Sequence, residues 1–335
     1  MSPSLSIALL GAGRIGQVHA AAIAETAGAR LCAVADINPE AARALATRYG
    51  AETRAFTGLA EAPDIDAVII CTPTDTHAAL IETFARARKP VFCEKPIDLS
   101  LARVKACLKV VAKTGTPLMV GFNRRFDPQF VALKQSIDAG RIGNIEMLNI
   151  TSRDPAPPPA AYIRNSGGLF RDMTIHDFDM ARFLLQDPIR SVMARASALV
   201  SPEIGALGDF DSANILLTTD SGKQCVISNS RRASYGYDQR IEVLGEKGLL
   251  SARNLRPIEV ELASADGFCR PPLHDFFMTR YSAAYRAEIA AFVEMLRSGD
   301  PASPSGQDGL CALELAEAAL RSVQTGRAVS PGAMG

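Results

Sequence analysis

Asp172, His176 and Asp179 lie within the run Asp172-Met173-Thr174-Ile175-His176-Asp177-Phe178-Asp179, which Gly167-Gly168 introduces. On an α-helix, residues four and seven apart share one stripe, here roughly 60° wide. Ile175, Phe178, Ala181, Leu184 and Leu185 cover much of the remaining circumference, which predicts a helix buried on more than one side. An acid–His–acid stripe on such a helix needs a polar partner, because unpaired buried charge is costly. The stripe alone leaves two readings: a satisfied internal network without chemistry, or a proton-handling site built on an imidazole.

The elements that position it begin at the N-terminus. Ser6 to Leu10 is an apolar run followed at once by Gly11-Ala12-Gly13-Arg14-Ile15-Gly16 and then a helix pattern. Strand, G-x-G-x-x-G and helix in that order predict a dinucleotide site, with phosphates on the helix N-terminus. A second strand, Arg30 to Ala35, ends in Asp36, 20 residues past Gly16. An acid there bonds the adenosine ribose and repels the extra phosphate of NADP, so NAD is the expected cofactor. Ala67 to Cys71, Pro90 to Cys93 and Pro117 to Phe122 are further strands alternating with helices, which predicts a doubly wound parallel sheet. Thr74 or Asp75 is a candidate cap for a helix expected from Thr76 to Ala87.

From Asn123 the alternation stops. A helix over 128–139 and a strand over 145–152 are followed by Asp154-Pro155-Ala156-Pro157-Pro158-Pro159, a stiff loop leading to Gly167-Gly168. After the acid–His–acid helix come strand-like runs at 191–199, 213–219, 224–230, 240–244 and 258–263, then closing helices at 281–297 and 309–324. The expected division is 1–122, a Rossmann domain, and 123–335, an α+β domain with an open, mostly antiparallel sheet. Apolar positions such as Ile215, Leu217 and Val226 need cover on whichever sheet face the helices leave bare.

Composition narrows the class. The 335 residues are 47% hydrophobic and 21% charged, with zero formal net charge. No basic block points to nucleic acid or an anionic membrane, and no apolar run approaches the ~20 residues of a spanning helix. Met1 to Leu10 lacks a basic start and reads as a first strand, not a signal peptide, so a cytoplasmic location is expected. Seven cysteines without a C-x-x-C, and four histidines without H-E-x-x-H, predict neither a disulfide framework nor a metal site.

The glycine fingerprint, the loop Cys71-Thr72-Pro73-Thr74-Asp75-Thr76-His77 and Glu94-Lys95-Pro96, in this order, resemble the glucose–fructose oxidoreductase/inositol dehydrogenase (Gfo/Idh/MocA) family. Gly168-Leu169-Phe170-Arg171-Asp172, His176-Asp177-Phe178-Asp179 and Arg182 are similar to the substrate helix of its inositol 2-dehydrogenase branch. Val120 to Asp127, Ser152 to Pro155, Tyr235 to Asp238 and Phe276-Phe277 with Tyr281 extend the resemblance along the chain.

The resemblance implies NAD-dependent oxidation of a secondary ring hydroxyl, myo-inositol to 2-keto-myo-inositol, in inositol catabolism. Scyllo-inositol and a pyranose are the alternatives within the family; a non-catalytic NAD-binding regulator is the alternative outside catalysis. It implies a catalytic group of Lys95, Asp172 and His176: His176 as base, Lys95 stabilising the alkoxide, Asp172 holding substrate. The implied cofactor contacts are Gly11, Gly13, Arg14, Ile15, Gly16, Asp36, Thr72, Pro73, Thr74, His77, Glu94, Lys95 and Arg124. Arg124, Asp179 and Tyr235 (or Tyr237 in its place) are implied as further partners of the ring hydroxyls, and the assembly as a homotetramer through the open sheet face.

Overall fold

The computed structural model describes residues 4–332. Contacts sort the chain into two units: one runs to Phe126 and resumes over Ser282–Leu313, and the other is Asp127–Tyr281 with the chain from Glu314. This is a finer division than one cut at 122/123. Its cause is apolar burial: helix Ser282–Ser298 sinks Ile289, Phe292, Val293 and Met295 into the core that holds Ile7, Leu9, Ile69 and Phe92.

The first unit contains β1 (Leu5–Leu10), α1 (Arg14–Glu25), β2 (Ala29–Ala35), α2 (Pro39–Tyr49) and β3 (Glu52–Thr53). It continues with β4 (Ala67–Ile70), α3 (Thr74–Arg86), β5 (Val91–Glu94), α4 (Leu101–Thr114) and β6 (Leu118–Gly121). β1 is the expected first strand from Leu5 onward; residues 1–3 of that reading lie outside the described residues. The sheet runs β3-β2-β1-β4-β5-β6, parallel throughout. β4, β5 and β6 are buried at every position, as strands covered on both faces must be. Strand order reverses between β1 and β4, and the crevice beyond their carboxyl ends is where such sheets take ligands. Asn38 and Ser100 cap α2 and α4 with their side chains; α3 has no side-chain cap, and Thr74 and Asp75 lie inside its first turn.

Beside this sheet Asp308 meets Arg125 at 3.0 Å and accepts the Ser305 N–H at 2.8 Å. Burial pushes a carboxyl up, but the Arg125 guanidinium and the Ser305 donors outweigh it and hold Asp308 at about 2. A carboxyl depressed on folding stabilises above its unfolded pKa, near 3.9, and that stability is lost as pH falls through the folded value. Asp308→Asn is therefore expected to remove roughly 2 kcal/mol at neutral pH and to flatten the decline of stability between about pH 4 and 2. Urea unfolding across that range checks it; an unchanged acid limb contradicts it.

The second unit opens with helix Pro128–Asp138, β7 (Ile145–Arg153), helix Ala160–Ser166, the π-helical turn Phe170–Thr174 and helix Ile175–Leu185. β8 (Ile189–Ser197), the short helix Pro202–Ala206, β9 (Ser212–Thr219), β10 (Gln224–Ser230), β11 (Asp238–Gly245) and β12 (Gly248–Ala252) follow. The sheet order is β12-β11-β7-β10-β9-β8, antiparallel except between β7 and β10. Three sequence expectations change here. The proline loop delivers the chain first to helix Ala160–Ser166, which Gly167 ends in a left-handed conformation. Of the run 258–263, only its end forms a strand, Leu262–Ser264, paired with Gly267–Cys269 in an exposed ribbon. Ile215 and Leu217 are buried, and the apolar residues on the bare face are Leu216 (39% exposed) and Val226 (41%), which pair directly across β9 and β10. Neighbours in a strand face opposite ways, so a phase error of one residue swaps the faces.

Candidate active site

In the first unit the glycine loop leaves β1 at Gly11, whose φ is +99°. A Cβ there would lie 2.5 Å from the Cys71 carbonyl oxygen, and one on Gly16 only 2.0 Å from the Gly11 carbonyl oxygen, so both glycines are required by close approach. Gly13 differs: a Cβ on it would meet no atom within 4 Å. It caps α1 without a side-chain bond, beside exposed Arg14 and half-buried Ile15. That is the arrangement an anion such as a pyrophosphate fits.

Asp36 closes the loop from the side. Its Oδ2 accepts the Ala12 N–H at 2.6 Å and its Oδ1 the Asn38 N–H at 2.7 Å, fixing the carboxylate at the end of β2. At the end of β4, the Thr72 and Thr76 hydroxyls bond at 2.6 Å across Pro73 and Thr74. His77 is buried beneath them, with Nε2 2.7 Å from the Thr72 carbonyl oxygen and Nδ1 2.8 Å from that of Pro96. Glu94 ends β5, and Lys95 follows, half-buried, joined to Pro96 by a cis peptide bond. Arg124 is buried in the 3-10 turn Asn123–Phe126. Burial pushes the Cys93 thiol well up, so it stays protonated and inert beside Glu94.

In the second unit the acid–His–acid run is not one continuous α-helix. Phe170–Thr174 is π-helical, and the α-helix begins at Ile175. The expected stripe therefore breaks: α spacing holds from His176 to Asp179, whereas Asp172 sits on the wider turn before them. π-turns of this kind recur at functional sites. Gly168, at φ +85°, leads into it, and the Leu169 N–H donates to Asp209 Oδ1 at 3.0 Å. Arg171 pairs with Glu317 and also bonds the Gly167 carbonyl oxygen at 3.2 Å.

Asp172 is held from two sides. Tyr162 donates to its Oδ1 at 2.8 Å, and Arg231 reaches its Oδ2 from two guanidinium nitrogens at 3.4 and 3.3 Å. The Arg231 side chain is 1% exposed, so a buried guanidinium orients this carboxylate. Below the turn, the Thr174 hydroxyl donates to Asn229 Oδ1 at 2.6 Å and Asn229 Nδ2 donates to Asp177 Oδ2 at 2.8 Å. This network ties the turn to β10. His176 is half-buried and Asp179 buried. The Tyr235 hydroxyl donates to Asp238 Oδ2 at 2.6 Å and accepts from Arg153 Nη1 at 3.0 Å, while its ring is 50% exposed. Burial, with Asp238 next, pushes that hydroxyl up. Tyr237 is buried and packs edge-on against Tyr281 and Phe276.

Thus Gly11, Gly13, Gly16, Asp36, Thr72, His77, Glu94, Lys95 and Arg124 gather in the first unit; Asp172, His176, Asp179 and Tyr235 belong to the second. Arg231, Tyr162, Asn229 and Asp177 were not anticipated. Arg231 had one sequence signal, an arginine pair just past a strand end; the rest are distant in sequence or off the α-helical stripe. No cluster of metal-ligating side chains occurs among the described residues, and no helix among them is long and apolar enough to cross a membrane.

Comparison with known proteins places the two units in sequence families. Residues 5–122 match the model of an oxidoreductase family with an NAD-binding Rossmann fold, and residues 130–251 that of the GFO/IDH/MocA C-terminal domain. The chain is 62% identical to inositol 2-dehydrogenase of Rhizobium meliloti (strain 1021), over 96% of this chain and 98% of that protein. It is 38% identical to scyllo-inositol 2-dehydrogenase (NAD(+)) of Bacillus subtilis (strain 168), over 98% of this chain and 97% of that one. The crystal structure of myo-inositol dehydrogenase from Lactobacillus casei in complex with NAD(H) and myo-inositol superposes with a TM-score of 0.88 at 28% identity, covering 99% of this chain and 98% of that one.

Proposed function

The chain belongs to the GFO/IDH/MocA oxidoreductase family, and from that premise we propose that it oxidises the axial C2 hydroxyl of myo-inositol to 2-keto-myo-inositol with NAD. The observation that carries the reading is Asp172, a carboxylate fixed by buried Arg231 and Tyr162 on the turn that leads into His176. A turn built only for packing needs no such anchored acid.

Bound NAD supplies the hydride acceptor. His176 takes the hydroxyl proton as the carbonyl forms, a role a neutral imidazole performs near its ordinary pKa of about 6.5. The Lys95 ammonium donates to the same oxygen and stabilises its developing charge. Asp172 accepts from a substrate hydroxyl and balances the cations around it. Arg124, Asp179 and Tyr235 serve the remaining ring hydroxyls; of the two tyrosines Tyr235 is the exposed one. A polyol needs such partners, since each hydrogen bond left unmade in a closed site costs about 1–3 kcal/mol.

NADH absorbance with a panel of myo-inositol, scyllo-inositol and glucose tests the substrate. Fastest turnover with myo-inositol is expected. Preference for scyllo-inositol or glucose would move the enzyme within its family, and no NADH with any of them would leave only a regulator's role.

Asp36 sets the cofactor preference in this account. Asp36→Ala should weaken NAD roughly tenfold or more, the scale of losing charged hydrogen bonds, and narrow its advantage over NADP. Measured kcat/KM for both cofactors checks it; a wild-type enzyme faster on NADP contradicts it.

Cytoplasmic inositol breakdown by a homotetramer is the physiological setting we favour. Met147, Leu244 and Leu249 form an exposed apolar row across β7, β11 and β12, and Leu216 with Val226 lie on neighbouring strands. Covering them with a second copy removes apolar surface from water. Light scattering at micromolar concentration should report a tetramer, with Leu216→Glu/Val226→Glu dissociating it; a wild-type monomer contradicts the assembly. Cell fractionation tests the location.

A further inference from the structure

Two of the four histidines, His19 and His77, lie in the first unit at 0% and 2% exposure, and the proposed chemistry uses neither. His19 belongs to α1, the helix that springs from the glycine loop, and His77 to α3, which springs from the Thr72 loop. Their rings converge on the residues either side of Lys95. His19 Nε2 donates to Glu94 Oε1 at 2.6 Å, and His77 reaches the Pro96 carbonyl oxygen at 2.8 Å and that of Thr72 at 2.7 Å. Glu94 Oε2 in turn accepts the Lys95 backbone N–H at 3.3 Å.

We propose that His19 and His77 are positioning residues for Lys95, holding it from Glu94 and from Pro96 and linking it to the two cofactor loops. This rests on reading Lys95 as the alkoxide stabiliser. An ammonium lowers the barrier only if it already points where charge will form, and a displacement of about 1 Å can cost about 10²-fold. Lys95 is the first residue past the end of β5, and the two histidines grip the residues on either side of it.

Each link is rigid for a physical reason. The His19 ring stands edge-on to Phe92 and Tyr285, with centroids 5.1 and 5.6 Å away, which fixes its plane. Its bond to a buried carboxylate is charge-assisted. A Cβ on Gly121 would sit 3.1 Å from the Glu94 carboxyl, so the neighbouring strand leaves that carboxylate room and no more. His77 faces two acceptors: a neutral ring, with one N–H, holds one carbonyl, and the imidazolium holds both.

A double-mutant cycle separates positioning from packing. His77→Phe and His19→Phe should each lower kcat about 10–100-fold, well beyond any weakening of NAD binding. In a Lys95→Ala background the same substitutions should change kcat by less than about threefold, because residues acting as a unit are non-additive. His77→Gln, whose amide carries two N–H groups, should recover most of the loss; if a phenylalanine variant does not fold, glutamine variants at both sites carry the cycle. Without cofactor, proton NMR should show slowly exchanging imidazole N–H signals that disappear with each histidine. Equal losses in both backgrounds, or no such signals in the wild type, overturn the proposal. Normal turnover in Lys95→Ala overturns the reading beneath it; a slow Lys95→Ala with normal histidine variants overturns the positioning role alone.

Discussion

Lys95→Ala is expected to turn over myo-inositol at least about 100-fold more slowly than the wild type while binding NAD within about threefold of it. The ammonium acts on the oxygen that becomes anionic in the transition state, so its loss should lower turnover far more than it weakens cofactor binding. The substitution removes a half-buried side chain and leaves the Lys95-Pro96 backbone in place, so folding should persist. Lys95→Arg should not restore activity, because a planar guanidinium cannot occupy the position of a compact ammonium. Steady-state kinetics with a fluorescence titration of NAD check the split; a loss confined to NAD affinity contradicts the assigned role.

His176→Ala should cost a similar factor, at least ~10² in kcat, the lower range for lost general acid–base help. The sign of its pH dependence follows from the role. Below the pKa of the imidazole the ring already carries its second proton and cannot accept another, so wild-type log kcat should rise with pH and then level. That limb should be missing in His176→Ala. Combined with Lys95→Ala, the loss should fall well short of the product of the two, since both act on one bond-making event. If the run from Asp172 to Asp179 only packs, the opposite holds: the variant loses thermal stability, and its folded fraction turns over normally.

The glycine loop, the Asp36 position and the alternation of β1 to β6 were legible in the sequence because each depends on local features: glycines where no side chain fits, apolar runs, caps. The acid–His–acid run was legible as a place but not as a shape. Its i, i+4 alignment assumed 3.6 residues per turn, and nothing local to Phe170–Thr174 announces a π-turn. Two of the partners that hold the turn come from β10 and just beyond it, so Asn229 with Asp177, and Arg231 with Asp172, could be joined only in the fold. Helix Ser282–Ser298 carried an apolar face that suits either unit, and packing assigned it to the first. Ile215 and Leu217 were misassigned to the bare face for a related reason: alternation fixes that a strand has two faces, not which one the helices cover.

Myo-inositol carrying deuterium on C2 tests the central claim most directly. If the enzyme oxidises that carbon by passing its hydrogen to NAD while His176 takes the hydroxyl proton, mass spectrometry should find one deuterium in each NADH formed and none in the 2-keto product. NADH free of deuterium, or a ketone that retains the label at another position, would contradict oxidation at C2.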